Sequence, residues 1–210
     1  MPRPRTASDD DILGAAYRVI SRVGPANLTL ALVAAEVGLS PATLLQRFGT
    51  KRRLLLALAK SAADSVDDCF AALRKEHPSP VAALIAGATH MAKMTTSPEE
   101  LANSLAFLQM DLTDHEFHRL ALGNSNSILK GYVALIEEAV AAKEVVPCDA
   151  KRVARAVAAV SAGSLLAWAI HRQGKSVDWV TADLEALIEP YRTTKKSPSK
   201  RSRRSGTSKK

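Results

Sequence analysis

The sequence is short of aromatic residues and of cysteine. Phe, Trp and Tyr make up 4% of the 210 residues, and there are 2 cysteines, Cys69 and Cys148. These cysteines lie far apart without a C-x-x-C spacing, so we expect two free thiols in a reducing cytoplasm rather than a disulfide or a metal site. Few aromatics, abundant alanine and the lack of strand-like alternation favour closely packed helices over a sheet.

Several features of other protein classes are also missing. No signal peptide is visible. The longest apolar stretch, 153–170, is interrupted by Arg155, Ser161 and Ser164, which predicts a buried helix and no membrane partner. The sequence has no Gly-rich phosphate loop, no H-E-x-x-H motif and no catalytic ordering of Ser, His and Asp. We therefore expect a cytoplasmic protein that is not an enzyme and that needs no cofactor and no metal.

The charge is concentrated at the two ends of the chain. Residues 1–53 carry 8 basic and 4 acidic side chains, residues 54–192 carry 13 and 17, and residues 193–210 carry 8 and none. The middle is therefore a poor nucleic-acid surface. The segment 193–210 has no large apolar residue, which predicts a disordered basic tail. This tail is either a solubilising segment or a source of nonspecific DNA affinity.

A helix-turn-helix pattern occupies residues 29–51. Thr29 can cap a first helix, and Gly38 ends it, since glycine adopts the left-handed conformation at little cost. Ser40 and Pro41 then predict the start of a second helix. A polar outer face on such a second helix can enter a DNA major groove.

The longer stretch 12–55 resembles the DNA-binding domain of the TetR (tetracycline repressor) family of bacterial transcriptional regulators. The resemblance is carried by Ile12, Ala15, Ala16, Gly24, Thr29, Val33-Ala34, Gly38-Leu39-Ser40, Thr43-Leu44, Phe48, Lys51 and Leu54. One departure is Leu45, which stands where the family usually has a tyrosine that contacts a backbone phosphate.

This resemblance implies an all-α protein with two domains. Residues 1–53 would form an N-terminal arm and a three-helix helix-turn-helix domain, and residues 54–192 a larger helical ligand-binding and dimerisation domain. Residues 193–210 would follow as the basic tail. Periodicity and capping signals predict helices at 10–23, 51–73, 81–94, 98–110, 114–142 (kinked or broken at 123–127), 149–173 and 177–191.

The positions that match the family motif give the predicted DNA contacts. Thr43, Gln46 and Arg47 are candidates for base edges or backbone, because Gln can pair with adenine and Arg with guanine. Lys51 should contact a phosphate from a helix N-terminus, with Arg52 or Arg53 assisting. The predicted DNA-binding residues are Thr29, Ser40, Pro41, Ala42, Thr43, Leu45, Gln46, Arg47 and Lys51.

The resemblance also implies a ligand pocket in the second domain and a homodimer through the last two helices. The apolar composition suggests a largely hydrophobic small molecule. The candidate ligand-binding residues are His90, Met94, Asn103, Phe107, Met110, His118, Asn124 and Trp168.

We expect a dimeric repressor that a small-molecule effector releases from double-stranded DNA. A symmetric dimer implies a palindromic operator with half-sites ~34 Å apart or a multiple of this. Two alternatives remain open at this stage. One is an architectural, weakly sequence-specific DNA-binding protein that uses its basic ends. The other is a helical small-molecule-binding or enzymatic protein with a degenerate motif.

Overall fold

The computed structural model describes residues 7–193, so the predicted tail beyond Thr193 lies outside the described residues. Within this range the chain has no β-strand, only one isolated bridge between Val145 and Arg192. The helices are α1 Asp9–Asn27, α2 Leu30–Val37, α3 Pro41–Phe48, α4 Lys51–Asp64, α5 Val66–Glu76, α6 Pro80–Ala88, α7 His90–Met94, α8 Pro98–Thr113, α9 His115–Ala141, α10 Ala150–His171 and α11 Ser176–Ile188, before a 3-10 turn at Glu189–Tyr191. The predicted all-α fold is confirmed.

Buried side chains form two hydrophobic clusters. The first joins α1 to α4, and the second joins α5 to α11. The first cluster extends beyond the predicted domain boundary, because Leu54 and Leu55 of α4 and Phe117 of α9 are buried in it. The helix-turn-helix therefore packs on the larger helical body, while the division at residues 53 and 54 stays a prediction.

The largest differences from the predicted helices are two divisions and one interruption that is absent. The helix predicted at 51–73 is divided at Ser65, whose hydroxyl donates to the carbonyl of Ala62. The helix predicted at 81–94 is divided at Thr89, whose hydroxyl donates to the carbonyl of Ile85. Such side-chain bonds compete with regular helix hydrogen bonding. The interruption predicted at 123–127 is absent, and α9 is continuous there. Its buried residues before and after this segment, Phe117 and Tyr132, anchor the helix on both sides of it.

Helix α10 is long and apolar enough to cross a membrane, a property that it shares with core helices of soluble proteins. Here it packs against α9 and α11, with Val157 and Trp168 buried. The prediction of a buried helix is correct for this face only. On the other face Leu166 and Ile170 are 46% and 72% exposed.

A close approach between α5 and α9 depends on Gly131. A Cβ atom at this position would lie 2.3 Å from Cε2 of Phe70. The Phe70 ring is held in place by an edge-on contact with Tyr132, with centroids 5.6 Å apart and planes at 77°. The buried ring therefore occupies the space that any side chain at residue 131 would need.

We expect Gly131→Ala to lower the free energy of unfolding by about 1–3 kcal/mol, because the Phe70 ring must shift in a packed core. Urea unfolding followed by circular dichroism measures this change. Gly123→Ala is the matched control in the same helix, since nothing lies within 4 Å of its added Cβ. The control should be neutral or stabilising by about 0.5–1 kcal/mol. Equal stability of the two variants would contradict the packing argument.

Candidate nucleic-acid interface

Local capping builds the helix-turn-helix. The Thr29 hydroxyl accepts from the amide of Leu32 at 3.2 Å, and Gly38 ends α2 with φ 70°. The Ser40 hydroxyl accepts from the amide of Thr43 at 3.2 Å, with Pro41 at the first turn of α3. These contacts confirm the predicted helix starts and stop.

Helix α3 presents an exposed face that is mostly apolar. Its inner side is anchored by Leu44, which is fully buried. Its exposed residues are Pro41, Ala42, Leu45, Gln46 and Arg47, and we call the first four of these the recognition face. Leu45 is 56% exposed, so an apolar side chain stands in solvent where the resembled family has a phosphate-contacting tyrosine. Gln46 supplies the one amide of this face.

Arg47 and Lys51, the two predicted DNA-contacting cations, form hydrogen bonds within the protein. One Nη of Arg47 donates to the carbonyl of Ala7 at 2.7 Å and lies 3.3 Å from the Asp9 carboxylate. The ammonium of Lys51 donates to the carbonyl of Ala26 at 2.7 Å. Both cations would have to exchange these contacts for DNA. The Asp9 side chain is 68% exposed, so its ion pair with Arg47 contributes little and is readily exchanged.

Thr43 is also engaged within the motif. Its hydroxyl lies 2.9 Å from that of Ser40, and either oxygen can donate. Thr43 is half-buried, whereas the recognition face beside it is open. The structure therefore brings the predicted DNA-binding residues of α3 to one side of the domain and places Thr29 and Ser40 at its helix starts.

Arg52, one of the two predicted assistants of Lys51, lies in another contact. Its guanidinium donates to both carboxylate oxygens of Asp114, at 2.7 and 3.1 Å, and to Glu116 at 2.6 Å. Its Cζ also lies 5.3 Å from the centroid of the Phe117 ring. The hydrogen bonds from Arg52 lower the pKa of Asp114. In residues 7–193 Arg53 makes no ion pair, so the geometry favours Arg53 as the assistant.

A second contact joins the helix-turn-helix to α8. The side-chain amide of Asn103 donates to the carbonyl of Ser21 at 2.8 Å. A Cβ atom at Gly24 would lie 2.8 Å from the side-chain oxygen Oδ1 of the same asparagine. Nearby, the Phe107 and Phe117 rings meet edge-on, with centroids 5.9 Å apart. Asn103, Phe107 and Met110 were predicted as ligand contacts, and the structure places all three against the N-terminal helices.

A pocket of about 400 Å³ lies between α4, α8, α9 and α10. Phe107 and Asn124 are the two predicted ligand residues that line it. The others lie elsewhere: His90, Met94 and His118 are exposed, Asn103 and Met110 face the N-terminal helices, and Trp168 is buried with its Nε1 donating to Gly174. Sequence reasoning missed Asp111 and Tyr132, which also line the pocket. The spacing of Asp111 one turn after Phe107 on α8 was an available signal.

The short helix α2, the turn at Gly38 and the open face of α3, carried on a larger helical body, define a helix-turn-helix DNA-binding protein of the two-domain kind. Residues 12–58 match the family model described as bacterial regulatory proteins, tetR family. The match covers the helix-turn-helix and the helices on either side of it, so this N-terminal region is of the TetR type.

The whole fold is similar to that of solved regulators. A TetR transcription regulator from Haloarcula marismortui has a TM-score of 0.70 and 18% identity, over 88% of this chain and 98% of that one. The regulator FadR from Bacillus subtilis, solved with stearoyl-CoA, has a TM-score of 0.61 and 16% identity. The match covers 86% of this chain and 98% of that one. A putative regulator from Saccharomonospora viridis, solved with choline, has a TM-score of 0.67 and 21% identity. The match covers 86% of this chain and 95% of that one. No curated protein matches the chain.

We expect Arg52→Ala to loosen the start of α9, because Asp114 caps the amides of Glu116 and Phe117 while Arg52 holds its carboxylate. Hydrogen exchange at these two amides should become a few-fold faster. Arg53→Ala removes the same charge from an exposed neighbour and should leave these amides unchanged. Equal protection of the amides in both variants would show that Arg52 does not hold this junction.

Proposed function

We propose that the protein is a dimeric cytoplasmic repressor that binds a palindromic operator and leaves it when a small molecule fills the pocket. The observation that carries this proposal is the position of the pocket. Its lining includes Ala59 and Ala62 of α4, the helix that follows the helix-turn-helix directly. A ligand at this place touches an element that also packs in the N-terminal cluster.

DNA recognition would use the recognition face and the cations beside it. Gln46 can pair with adenine, and Arg47 can pair with guanine once it leaves Ala7 and Asp9. Pro41, Ala42 and Leu45 suit contact with thymine methyl groups, which is the readout available to apolar side chains in the major groove. Lys51 would contact a phosphate, and Thr29 and Ser40 would aim the free amides of α2 and α3 at the backbone.

The exposed face of α10 supports a dimer. Leu166 and Ile170 stand in solvent next to the exposed small residues Ala159, Ala162 and Gly163 at helical spacing. Small residues allow close helix approach, and exposed apolar patches indicate protein interfaces. A second copy packed on α10 and α11 would bury this surface and set two recognition faces around a twofold axis.

Ligand release requires two states of different DNA affinity. The pocket borders α4, α8 and α9, and the N-terminal helices rest on α8 and on the start of α9 through Asn103 and Arg52. A ligand that separates α4 from α8 would therefore tilt the helix-turn-helix in each protomer. The spacing of the two recognition faces would then no longer match the operator.

The test is selection of bound duplexes from a random pool at physiological salt, with the full chain and with a variant ending at Thr193. Enrichment of one palindromic motif by both proteins is the expected result. It would identify the operator and exclude the architectural alternative. Uniform affinity across sequences that disappears with the tail would reject the repressor proposal, because phosphate neutralisation by the tail would then explain binding.

On the selected operator we expect Arg47→Ala and Lys51→Ala to act differently. Arg47→Ala should cost about 1–3 kcal/mol on the operator and much less on random duplex, because a base contact is lost. Lys51→Ala should weaken both alike and lower the salt slope by about 1, because a phosphate contact is lost. Fluorescence anisotropy over a salt series measures both quantities. The same losses on both duplexes for both variants would refute this division.

A further inference from the structure

One acidic side chain lies in the lining of the pocket between α4, α8, α9 and α10. Asp111, near the end of α8, is surrounded there by apolar residues such as Ala59, Leu108 and Ile128. No lysine or arginine is among the lining residues that the structure describes. Asp111 is thus the one charged side chain in a lining whose other members are apolar or, like Asn124 and Ser125, neutral.

The surroundings of Asp111 disfavour its negative charge. Among residues 7–193 no hydrogen bond or ion pair joins it to another side chain, and burial raises its pKa. It also lies in the last turn of α8, where no basic residue is present and the free carbonyl groups are negative. Arg52, at the junction of α8 and α9, is paired with Asp114 and Glu116. The pocket end at Asp111 therefore has a negative potential without a protein cation to balance it.

Two aromatic residues line the same pocket as this carboxylate. Phe107 lies one turn earlier on the same face of α8, and Tyr132 lines the pocket from α9. Aromatic ring faces attract cations, most strongly where water is excluded. Burial raises the pKa of Tyr132 to about 12, so its hydroxyl stays neutral. An anion would meet a carboxylate here, and a neutral apolar molecule would leave that carboxylate unpaired.

We propose that the effector is a monovalent organic cation with an apolar body, an amine or a quaternary ammonium compound, whose positive group lies against Asp111. This inference rests on the proposed function, since it names the ligand class of the proposed effector site. The volume of about 400 Å³ suits a small drug-sized molecule. The carboxylate supplies charge, and Phe107 with the aliphatic lining supplies contact area.

The experiment compares three probes that share a 4-phenylbutyl body and carry a trimethylammonium, a hydroxyl or a carboxylate group. Isothermal titration calorimetry with the full chain at neutral pH gives their dissociation constants without DNA. The ammonium probe should bind at least about tenfold tighter than the alcohol, and the carboxylate probe weakest. A primary ammonium probe of the same body shows whether the site needs an N–H donor.

Asp111→Asn keeps the size of the side chain and removes its charge. It should weaken the ammonium probe by about tenfold or more and leave the alcohol nearly unchanged. Glu137→Gln is the matched control, an exposed acid on α9 outside the pocket lining. Asp111→Asn should also raise the melting temperature without ligand, because an unpaired carboxylate is removed from the end of α8. This shift shows that the variant is folded.

The proposal is overturned if the ammonium probe fails to bind below about 1 mM, if the alcohol or carboxylate binds tighter, or if Asp111→Asn and Glu137→Gln bind it equally. These outcomes are separate from a failure of the proposed function. A palindromic operator with no cation binding keeps the repressor and rejects this ligand class. Cation binding that leaves operator affinity unchanged keeps the ligand class and rejects release.

Discussion

The buried ring of Phe117 connects the two parts of the molecule. Phe117 belongs to α9, yet it is fully enclosed in the cluster formed by α1 to α4. Phe107 meets it edge-on from α8, and the Arg52 guanidinium lies above it. A core side chain cannot move far without leaving a cavity or a clash. The helix-turn-helix therefore has to follow the start of α9 and cannot rotate freely on a linker.

Under the proposed function, this constraint would let a ligand in the pocket move the helix-turn-helix. Phe107 lines the pocket and touches Phe117 at the same time, so one aromatic side chain belongs to both places. Helix α4 likewise contributes to both places, because Ala62 lines the pocket and Leu54 is buried in the N-terminal cluster. Coupling between sites needs an element that both sites bias. Under the proposed function, α4 and the junction of α8 and α9 would be such elements.

Sequence predicted what depends on neighbours in the chain and missed what depends on distant ones. The caps at Thr29 and Ser40 follow from contacts three residues away. The Arg52 contact with Asp114 spans 62 positions, and that of Asn103 with Ser21 spans 82. No periodicity reveals such partners. Arg52 was therefore assigned to phosphate and Asn103 to ligand, although each joins the N-terminal helices to the larger body.

Asp111 differs from the acids that hold parts of the fold together. Glu144 accepts from the Ser79 hydroxyl and the Val81 amide, and Asp114 combines a helix cap with an ion pair. Each of these carboxylates stabilises the element that it touches. Asp111 instead opposes the dipole of its own helix and loses hydration. Asp111 combines this unfavourable helix position with a place in the pocket lining and no protein partner, and a bound cation would compensate for both costs.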